Sequence, residues 1–498
     1  MTAPAPAPVA RPHETPTADA PRTPAQRVLL VSANRERQPM PVLPNGLACV
    51  ASALEEAGHE VRLLDLCFSR RPADDAARTA RDFAPQVIGV SVRNIDNSDS
   101  VALRHYTPEA AELLRALRAA APQASVIAGG AAFGVAPQAL FQALGVDYGV
   151  AGDGERAVVR LVDAIARGRP VDGIPGVVRQ VGGRVVFTPP GDDAALDTLP
   201  PARLHRWLDV RRYERHGATV PVQTKRGCVY KCVYCTYRNV EGWGYRLRDP
   251  ERVADEIAEL HREAGVRHVD FVDSTFNSPP GHAMAVCDAI AARALPVQLE
   301  TMNFTPAAAG DDLLRAMRRA GFSTLGVTAE SASDPVLRRL EKGFDAAKVR
   351  DVAGRLERSG IRTLWIFLAG GPGETARTLD ETLAFADERL RRGDAVYLTV
   401  GLRVYPGTTL HQIALAEGAV KAGDPLLEPR FYFSPALDRA AALARLTSFA
   451  RSRPRFMFSA DSRSPVLPWL TRLAVGLRLP RPHWRYMGVF QRVSRALA

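Results

Sequence analysis

No apolar run in this sequence approaches the roughly 18 residues that a membrane-spanning helix needs, and the longest runs have the length of strands. The first 25 residues lack the basic start and the apolar core of a signal peptide, and Ala, Pro and Thr dominate them. We therefore predict that residues 1–25 form a disordered tail and that the protein is cytoplasmic. Hydrophobic and charged residues make up 46% and 24% of the chain, as in ordinary soluble domains.

Cysteine is scarce, since the 498 residues contain six. A secreted disulfide scaffold of this length would contain more cysteines, spread more evenly along the chain. Cys49, Cys67 and Cys287 lie in apolar stretches, and we interpret them as buried small hydrophobic residues. The other three cysteines lie close together, and a metal or redox role is expected of them.

Acidic residues are nearly absent from the end of the chain. Residues 439–498 contain twelve Arg, no Lys and one acid, Asp461, for a net charge of +11. The whole chain also carries +11, so the remainder is balanced, with 53 basic and 53 acidic residues. Arg mixed with aromatic residues suits a membrane surface, an anionic lipid, a phosphate-bearing substrate or nucleic acid. An Arg-rich helix packed on the rest of the protein is the simpler interpretation, and we predict no stable nucleic-acid complex.

Strand and helix patterns alternate over residues 26–166. Five short apolar strands separated by amphipathic helices predict a doubly wound parallel α/β sheet. Ligands of such sheets bind at the carboxyl ends of the strands. No GxGxxG follows the first strand, so a dinucleotide is not expected there.

Three further regions follow this sheet. Residues 167–220 are rich in Pro, Gly and Asp and are predicted to be a linker with a hairpin at 177–187. Residues 221–425 contain six strand–helix units, too few for a closed eight-stranded barrel and typical of a partial (βα)6 barrel. Residues 426–498 are predicted to be a basic, mostly helical C-terminal extension.

The clustered cysteines, Cys228, Cys232 and Cys235, lie on the loop after the first strand of the partial barrel. Three thiolates on one loop can ligate three irons of a [4Fe–4S] cubane and leave the fourth iron open. The open iron can chelate the amino and carboxylate groups of S-adenosylmethionine (SAM). A structural zinc site would need a fourth ligand, and the chain has no second Cys-x-x-Cys pair. A disulfide would leave one thiol over.

Four basic residues surround the cysteines in sequence. They would soften the negative charge of a cluster bound to three thiolates, or they form a solvated basic loop, and the sequence leaves both interpretations open. These residues are Lys225, Arg226, Lys231 and Arg238.

The CxxxCxxC spacing, with Tyr234 before the last cysteine, resembles the signature of the radical SAM superfamily. The resemblance continues through VDFVDSTFN (269–277), LGVTAESASDPVLRRLEKGF (325–344), FLAGGPGET (367–375) and GLRVYPGTTL (401–410). In the first of these segments, Asp-Ser-Thr stands where the family more commonly has Gly-Gly-Glu, the segment that contacts the amino group of SAM. The resemblance implies SAM binding by Tyr234, Asp273, Ser274, Thr275, Glu330, Ser331, Gly371 and Arg403.

An α/β sheet before such a barrel resembles the cobalamin-binding radical SAM class, with a Rossmann-like cobalamin domain over 26–166. No DxHxxG motif is present, so a histidine ligand to cobalt from that motif is excluded. RNIDN (93–97) is our candidate to face the cobalt, although it could instead cap the next helix. The resemblance implies cobalamin contacts from Arg93, Asn94, Ile95, Gly129, Gly130, Gly152, Gly154 and Glu155.

The resemblance implies a C-methyltransferase that uses a [4Fe–4S] cluster, SAM and cobalamin. A 5′-deoxyadenosyl radical would activate an unactivated carbon of a small-molecule or lipid substrate, and methylcobalamin would supply the methyl group. An electron donor such as flavodoxin or ferredoxin is expected. The alternatives are a cyclase or carbon-skeleton rearrangement enzyme and, from another class, a cobalamin-dependent sensor. The sequence identifies no general base.

Overall fold

The computed structural model describes residues 23–191, 195–458, 466–477 and 479–496. Most of the predicted disordered tail, residues 1–22, lies outside this part of the chain. Within the described ranges, no helix has the length and apolar character needed to cross a membrane.

The amino-terminal domain is a sheet of seven strands over the described residues, in the order β2-β1-β3-β4-β5-β6-β7. The first five strands are parallel, which confirms the predicted doubly wound, Rossmann-like architecture. Its strands are β1 (Arg27–Ser32), β2 (Glu60–Asp65), β3 (Val87–Ser91), β4 (Ser125–Gly129), β5 (Tyr148–Val150), β6 (Val177–Val181) and β7 (Arg184–Phe187). Its helices are α1 (Asn45–Glu56), α2 (Pro72–Phe83), α3 (Thr107–Ala120), α4 (Ala131–Val135), α5 (Pro137–Leu144) and α6 (Gly154–Ala166).

Two features of this sheet were not expected. The hairpin β6–β7, which the sequence places in a linker, pairs antiparallel with β5 and forms the edge of the sheet. Helix α4 follows directly on Gly130 and is too short for its periodicity to be visible in the sequence. The strand order reverses between β1 and β3, so the carboxyl ends of these two strands form the crevice where a ligand binds in such folds.

Gly130, at the end of β4, has a positive φ of +96°, and a Cβ there would lie 2.5 Å from the carbonyl oxygen of Val92. Gly145 also has a positive φ, +59°, but a Cβ there would meet no atom within 4 Å. We therefore expect Gly130→Ala to lower the free energy of unfolding by about 3 kcal/mol or more, from strain and crowding together. Gly145→Ala should cost only about 1 kcal/mol, from strain alone. Urea unfolding of both variants measures the difference, and equal losses would contradict it.

The second domain is a partial barrel, as predicted, with the strand order β18-β15-β14-β13-β12-β11-β8 among the described residues. After α7 (Leu204–Trp207) and α8 (Val210–Arg215), its strands and short bridging strands are β8 (Val220–Val222), β9 (Lys225–Arg226), β10 (Arg246–Leu247), β11 (His268–Phe271), β12 (Gln298–Phe304), β13 (Phe322–Glu330), β14 (Arg362–Ala369), β15 (Ala395–Val400), β16 (Leu402–Arg403), β17 (Phe431–Tyr432) and β18 (Phe456–Phe458). The helices are α9 (Tyr237–Glu241), α10 (Pro250–Ala264), α11 (Pro280–Ala292), α12 (Asp311–Ala320), α13 (Asp334–Arg339), α14 (Ala346–Ser359), α15 (Ala376–Arg391), α16 (Thr409–Ala416), α17 (Arg439–Arg451), α18 (Val466–Gly476) and α19 (Met487–Ala496).

The hydrophobic core of this domain lies between the outer face of the barrel sheet and the surrounding helices. Alternate side chains such as Leu299, Val327 and Phe367 are fully buried there, in one continuous cluster with the helices. Strand β18 belongs to this sheet as a parallel partner of β15, although the sequence places it in the C-terminal extension. Three residues carry too little pattern to predict a strand, and the pairing with β15 is what orders them.

Candidate functional site

The three clustered cysteines lie on the loop between β9 and α9, at the carboxyl end of β8. Cys228 is buried, Cys232 and Cys235 are half-buried, and all three thiols are free. Burial is the main cause that raises the pKa of Cys228 and raises that of Cys235 to about 12, and neighbouring thiols of the loop contribute to both shifts. The three thiols therefore lie near one another on one loop, as ligands of a shared metal cluster must.

Lys342 lies beside this loop and is buried. Its Nζ donates to the hydroxyl of Tyr234 at 3.2 Å and lies 3.6 Å from the Glu330 carboxylate, which also accepts from Tyr234 at 2.9 Å. Burial alone would lower the pKa of Lys342, but the charges of Glu330, Cys232 and Cys235 raise it. Lys342 therefore holds a fixed positive charge next to two of the cysteines.

The basic residues predicted near the cysteines are mostly engaged elsewhere. Lys225 is fully buried and donates to Asp273 at 3.1 Å, and Arg226 pairs with Glu155 at 2.6 Å. The Arg238 guanidinium stacks over the ring of Trp243, and Lys231 is exposed. The buried cation that lies next to the cysteines is Lys342, which the sequence did not single out.

Asp273 is not free to bind SAM. Its carboxylate accepts from the Thr224 amide at 2.7 Å, from the Thr224 hydroxyl at 2.6 Å and from Lys225 at 3.1 Å, and it is fully buried. The Asp-Ser-Thr segment, which departs from the family pattern, therefore anchors the start of the cysteine loop. Its next residue, Ser274, acts in the same way, because its hydroxyl donates to the Gly227 carbonyl at 2.6 Å.

The other predicted SAM residues lie at the carboxyl ends of the strands but differ in availability. Thr275 shares a hydrogen bond of 3.0 Å with the hydroxyl of Tyr245. Ser331 is buried and hydrogen-bonds Thr382 at 3.1 Å, so it supports the turn after β13 instead of facing the site. Tyr234 and Glu330 lie next to the cysteines, and Glu330 has a strained, positive φ of +65°.

A buried glutamate within the glycine segment after β14 holds the conformation of that segment. Glu374 is fully buried and accepts from the amides of Gly370 and Gly371. A Cβ at Gly370 would overlap the ring of Phe433, so that glycine is required by packing, whereas Gly371 has ordinary room. Burial raises the pKa of Glu374 to about 7, which the two amides only partly offset.

This raised pKa predicts a pH dependence of stability. Between the ordinary pKa of a Glu and about 7, the folded protein binds the Glu374 proton more tightly than the unfolded chain, so stability falls as pH rises through this window. The loss amounts to about 3 kcal/mol and is complete above about pH 7. We expect Glu374→Gln to remove it, because an amide does not titrate. The test compares unfolding at pH 5 and pH 8 with the surface control Glu388→Gln, and an unchanged pH difference would contradict it.

The loop after β3 faces the cysteine loop across the space between the domains. Arg93 and Asn94 are exposed to this space, and the pKa of Arg93 is lowered by the surrounding protein and raised by Tyr237, two residues after Cys235. A Cβ at Gly134 in α4 would lie 3.0 Å from the Val240 side chain in α9, so the domains also touch there. The crevice at β1 and β3 therefore opens toward the cysteines, where a cofactor held by the sheet would meet one held by the barrel.

Ile95 and the GDGE segment (152–155), which the sequence predicts to contact cobalamin, make structural contacts within the protein. The Ile95 side chain is buried in the core of the amino-terminal domain. The Glu155 carboxylate binds the Arg226 guanidinium at 2.6 and 3.2 Å, and Asp153 pairs with Arg246 at 2.6 Å.

The glycines of that segment, Gly152 and Gly154, pack against Pro190 and Val50. The segment joins the amino-terminal domain to the root of the cysteine loop. Gly129 and Gly130 instead lie where β4 packs closely against its neighbouring strands.

Arg403, predicted to bind SAM, forms a second contact between the domains. It is buried, its Nε donates to Asp96 at 2.7 Å, and its Nη2 donates to the Leu426 carbonyl at 2.7 Å. Ser98, on the same loop as Asp96, hydrogen-bonds the Tyr405 hydroxyl at 2.8 Å. The loop that carries Arg93 and Asn94 is thus tied to β16 and to the residues that follow it. Asp96 belongs to the RNIDN segment that the sequence singles out. Its partner Arg403 lies 307 residues away, so the sequence did not predict the pair.

The arrangement fits the implied cofactors. Among the described residues, no three His, Cys, Asp or Glu side chains converge on a single-ion site. A cubane places a separate iron at each thiolate, so its ligands stand farther apart than those of one ion. The absence of a single-ion site among the described residues is therefore compatible with a cluster held by the three cysteines. Arg93 and Asn94 are exposed at the strand crevice, so a cofactor held by this sheet could reach them.

Comparison with known proteins agrees with this architecture. Residues 37–162 match the B12 binding domain, and residues 222–386 match the Radical SAM superfamily. Among curated proteins, the chain is 25% identical over 421 residues to the uncharacterized methyltransferase PH0819 of Pyrococcus horikoshii, covering 82% of this chain and 88% of that one. It is 26% identical over 343 residues to the anaerobic magnesium-protoporphyrin IX monomethyl ester cyclase of a Synechocystis strain, covering 65% and 64%.

Among solved structures, the fold matches TsrM, a radical SAM methyltransferase from Kitasatospora setae with cobalamin and a [4Fe–4S] cluster bound. The TM-score is 0.80 at 25% identity, over 95% of this chain and 100% of that one. The fold and the cysteine loop define a radical SAM enzyme that carries a cobalamin-binding domain on its amino-terminal side. The chain thus combines a B12 binding domain with a radical SAM domain, and its cofactors are a [4Fe–4S] cluster, SAM and cobalamin.

Proposed function

We propose that the protein is a C-methyltransferase acting on an unactivated carbon of a small-molecule or lipid substrate. The observation that carries the proposal is the meeting of the cysteine loop and the β3 loop across one interdomain space, because methyl transfer to a substrate activated at the cluster needs both cofactors within reach of one carbon. The related TsrM was solved with tryptophan as substrate, which supports a small molecule without identifying the one used here.

In this proposal, Cys228, Cys232 and Cys235 hold the cluster, and Tyr234, Thr275, Glu330 and Gly371 border the SAM site. Arg93, Asn94, Gly129 and Gly130 lie on the cobalamin side. When bound, the cluster with SAM supplies a hydrogen-abstracting radical, and cobalamin supplies a transferable methyl group.

The chain's own residues position and enclose the reactants. Lys342 and Glu330 orient Tyr234 behind the cysteines, and Asp273 fixes the start of their loop. The ion pairs Arg226–Glu155 and Arg403–Asp96 hold the two domains together on either side of the interdomain space, which limits access of water to it.

The test is anaerobic reconstitution with iron, sulfide, hydroxocobalamin, a reductant and SAM deuterated at its methyl group, in the presence of a small-molecule or lipid extract. We expect 5′-deoxyadenosine together with a product that carries the deuterated methyl group, and loss of both in Cys235→Ser. Labelled product without 5′-deoxyadenosine would contradict radical activation of the substrate. Absence of any turnover would contradict the proposal and favour the sensor.

The second candidate is a cyclase or rearrangement enzyme that does not methylate. The similarity to the magnesium-protoporphyrin IX monomethyl ester cyclase favours it specifically, because the aligned region covers 65% of this chain. The same reconstitution separates the two, since a cyclase would form 5′-deoxyadenosine and an altered substrate that contains no deuterium.

The proposal includes a flavodoxin or ferredoxin as electron donor, because reductive cleavage of SAM consumes one electron per turnover. It also includes a cytoplasmic location, since reduced iron–sulfur chemistry favours that compartment. Contact of the C-terminal segment with a membrane surface is a separate prediction, which does not depend on methyl transfer.

A further inference from the structure

The end of the chain forms a small helical unit with one apolar face turned outward. Helices α18 and α19 pack on each other through Leu470, Ala474 and Phe490. Beside this contact on α18, Trp469, Leu473 and Leu477 follow one another at intervals of four residues, with 56%, 44% and 63% of their surface exposed. We call these three residues the apolar face of α18.

This face is unusual for a helix on a folded protein. Single exposed apolar side chains are common on protein surfaces, but an apolar stripe over successive turns normally faces the core. The unit is already docked through its other surfaces, because Arg481 donates to the Ala218 carbonyl at 2.9 Å. A Cβ at Gly217 would also lie 3.1 Å from the Val475 side chain. The apolar face is therefore left over after the unit has packed on the barrel.

The net charge of the segment that carries the apolar face selects its partner. Residues 462–498 contain seven Arg and no Asp or Glu. Arg472 is exposed next to Leu473, on the helix that carries the face. Trp and Leu beside Arg are the side chains that settle at the boundary between the headgroups and acyl chains of an anionic bilayer, and each Arg near such a surface adds about 1 kcal/mol.

The position of the unit suits this use. Gly217 and Ala218 precede β8, so the unit sits at the amino ends of the barrel strands. The cysteine loop lies at the opposite, carboxyl ends. A bilayer against α18 would therefore leave the interdomain space and an approaching electron donor unobstructed.

We propose that the α18–α19 unit docks the protein on the surface of anionic lipid bilayers, with the apolar face of α18 inserted at the headgroup level. The contact is peripheral and reversible, and it depends on both the apolar side chains and the Arg residues. It is independent of SAM turnover, so it stands or falls separately from the proposed methyl transfer.

The experiment is flotation of the full-length protein with vesicles of phosphatidylcholine alone and of phosphatidylcholine with 30% phosphatidylglycerol. We expect binding to the anionic vesicles, weakened by 0.5 M NaCl, and little binding to the neutral ones. The triple variant Trp469→Ser, Leu473→Ser, Leu477→Ser should bind at least about tenfold more weakly. The matched control Leu103→Ser, Val181→Ser, Val186→Ser removes three other exposed apolar side chains and should bind like the wild type.

Thermal unfolding of both triple variants shows whether they remain folded, and exposed positions are expected to tolerate serine. Failure of the wild type to float with anionic vesicles would overturn the proposal, as would equal binding to neutral vesicles. Self-association that the α18 variant abolishes, without vesicle binding, would assign the face to a second copy instead. Salt-sensitive binding of RNA that outcompetes the vesicles would assign the Arg residues to nucleic acid.

Discussion

Replacing Lys342 by Met lowers the midpoint reduction potential of the reconstituted cluster by roughly 100 mV. Lys342 is buried beside Cys232 and Cys235, and its pKa is raised in their presence, so it carries its charge when the cluster is bound. A unit charge near the cluster, at an effective dielectric constant of about 20, contributes roughly 2 kcal/mol. For a one-electron couple, a tenfold change in the equilibrium constant corresponds to about 59 mV.

The measurement is a redox titration followed by electron paramagnetic resonance, which needs no substrate. Lys348→Met is the matched control, because Lys348 lies on the surface with Asp351 and should leave the potential unchanged. Lys342→Arg keeps the charge and should recover most of the shift. If Lys342→Met has a wild-type potential while Tyr234→Phe does not, the hydrogen bond to Tyr234 matters and the charge does not.

Replacing Arg403 by Met destabilises the protein by about 3–5 kcal/mol and releases the corrinoid. The substitution leaves the Asp96 carboxylate buried without its cation, and an uncompensated buried charge is far more costly than a lost surface pair. The loop that carries Arg93 and Asn94 then loses its attachment to β16. We expect reduced retention of cobalamin after gel filtration and an earlier unfolding transition in urea.

Two further variants separate charge from packing. Asp96→Asn keeps the shape and an oxygen that still accepts from Arg403, so it should cost less than Arg403→Met. The double variant Asp96→Asn, Arg403→Met should be more stable than the sum of the two losses predicts, because no charge is left unpaired. Additive losses, or a corrinoid content equal to that of the wild type in Arg403→Met, would contradict this account.

Long, periodic elements could be read from the chain. The helical patterns over 250–264, 345–359 and 375–391 coincide with α10, α14 and α15 to within two residues. Strand β18 and the placement of the β6–β7 hairpin could not be predicted, because each is decided by pairing with a distant strand edge. The same holds for the site: the spacing of Cys228, Cys232 and Cys235 predicts the cluster, but it says nothing of Lys342, which reaches them through the fold.

The family resemblance predicts functional residues at strand ends, and many of these residues also make structural contacts. Asp273 and Ser274 hold the cysteine loop, Glu155 and Arg403 hold the domains together, and Ser331 supports a turn. Strand ends collect polar side chains for two reasons, to bind ligands and to satisfy one another. A motif cannot distinguish these uses, because the difference lies in which hydrogen-bond partners the other strands bring.

The sequence by itself determined the domain order, the three cysteines and the concentration of Arg at the carboxyl end, because these depend on spacing and composition along the chain. Tertiary structure alone decided which of the charged residues form ion pairs between the domains and which remain available to a ligand. The reason is physical: a buried charge must be compensated by a partner within a few ångströms, and for Arg403 that partner is 307 positions away in sequence.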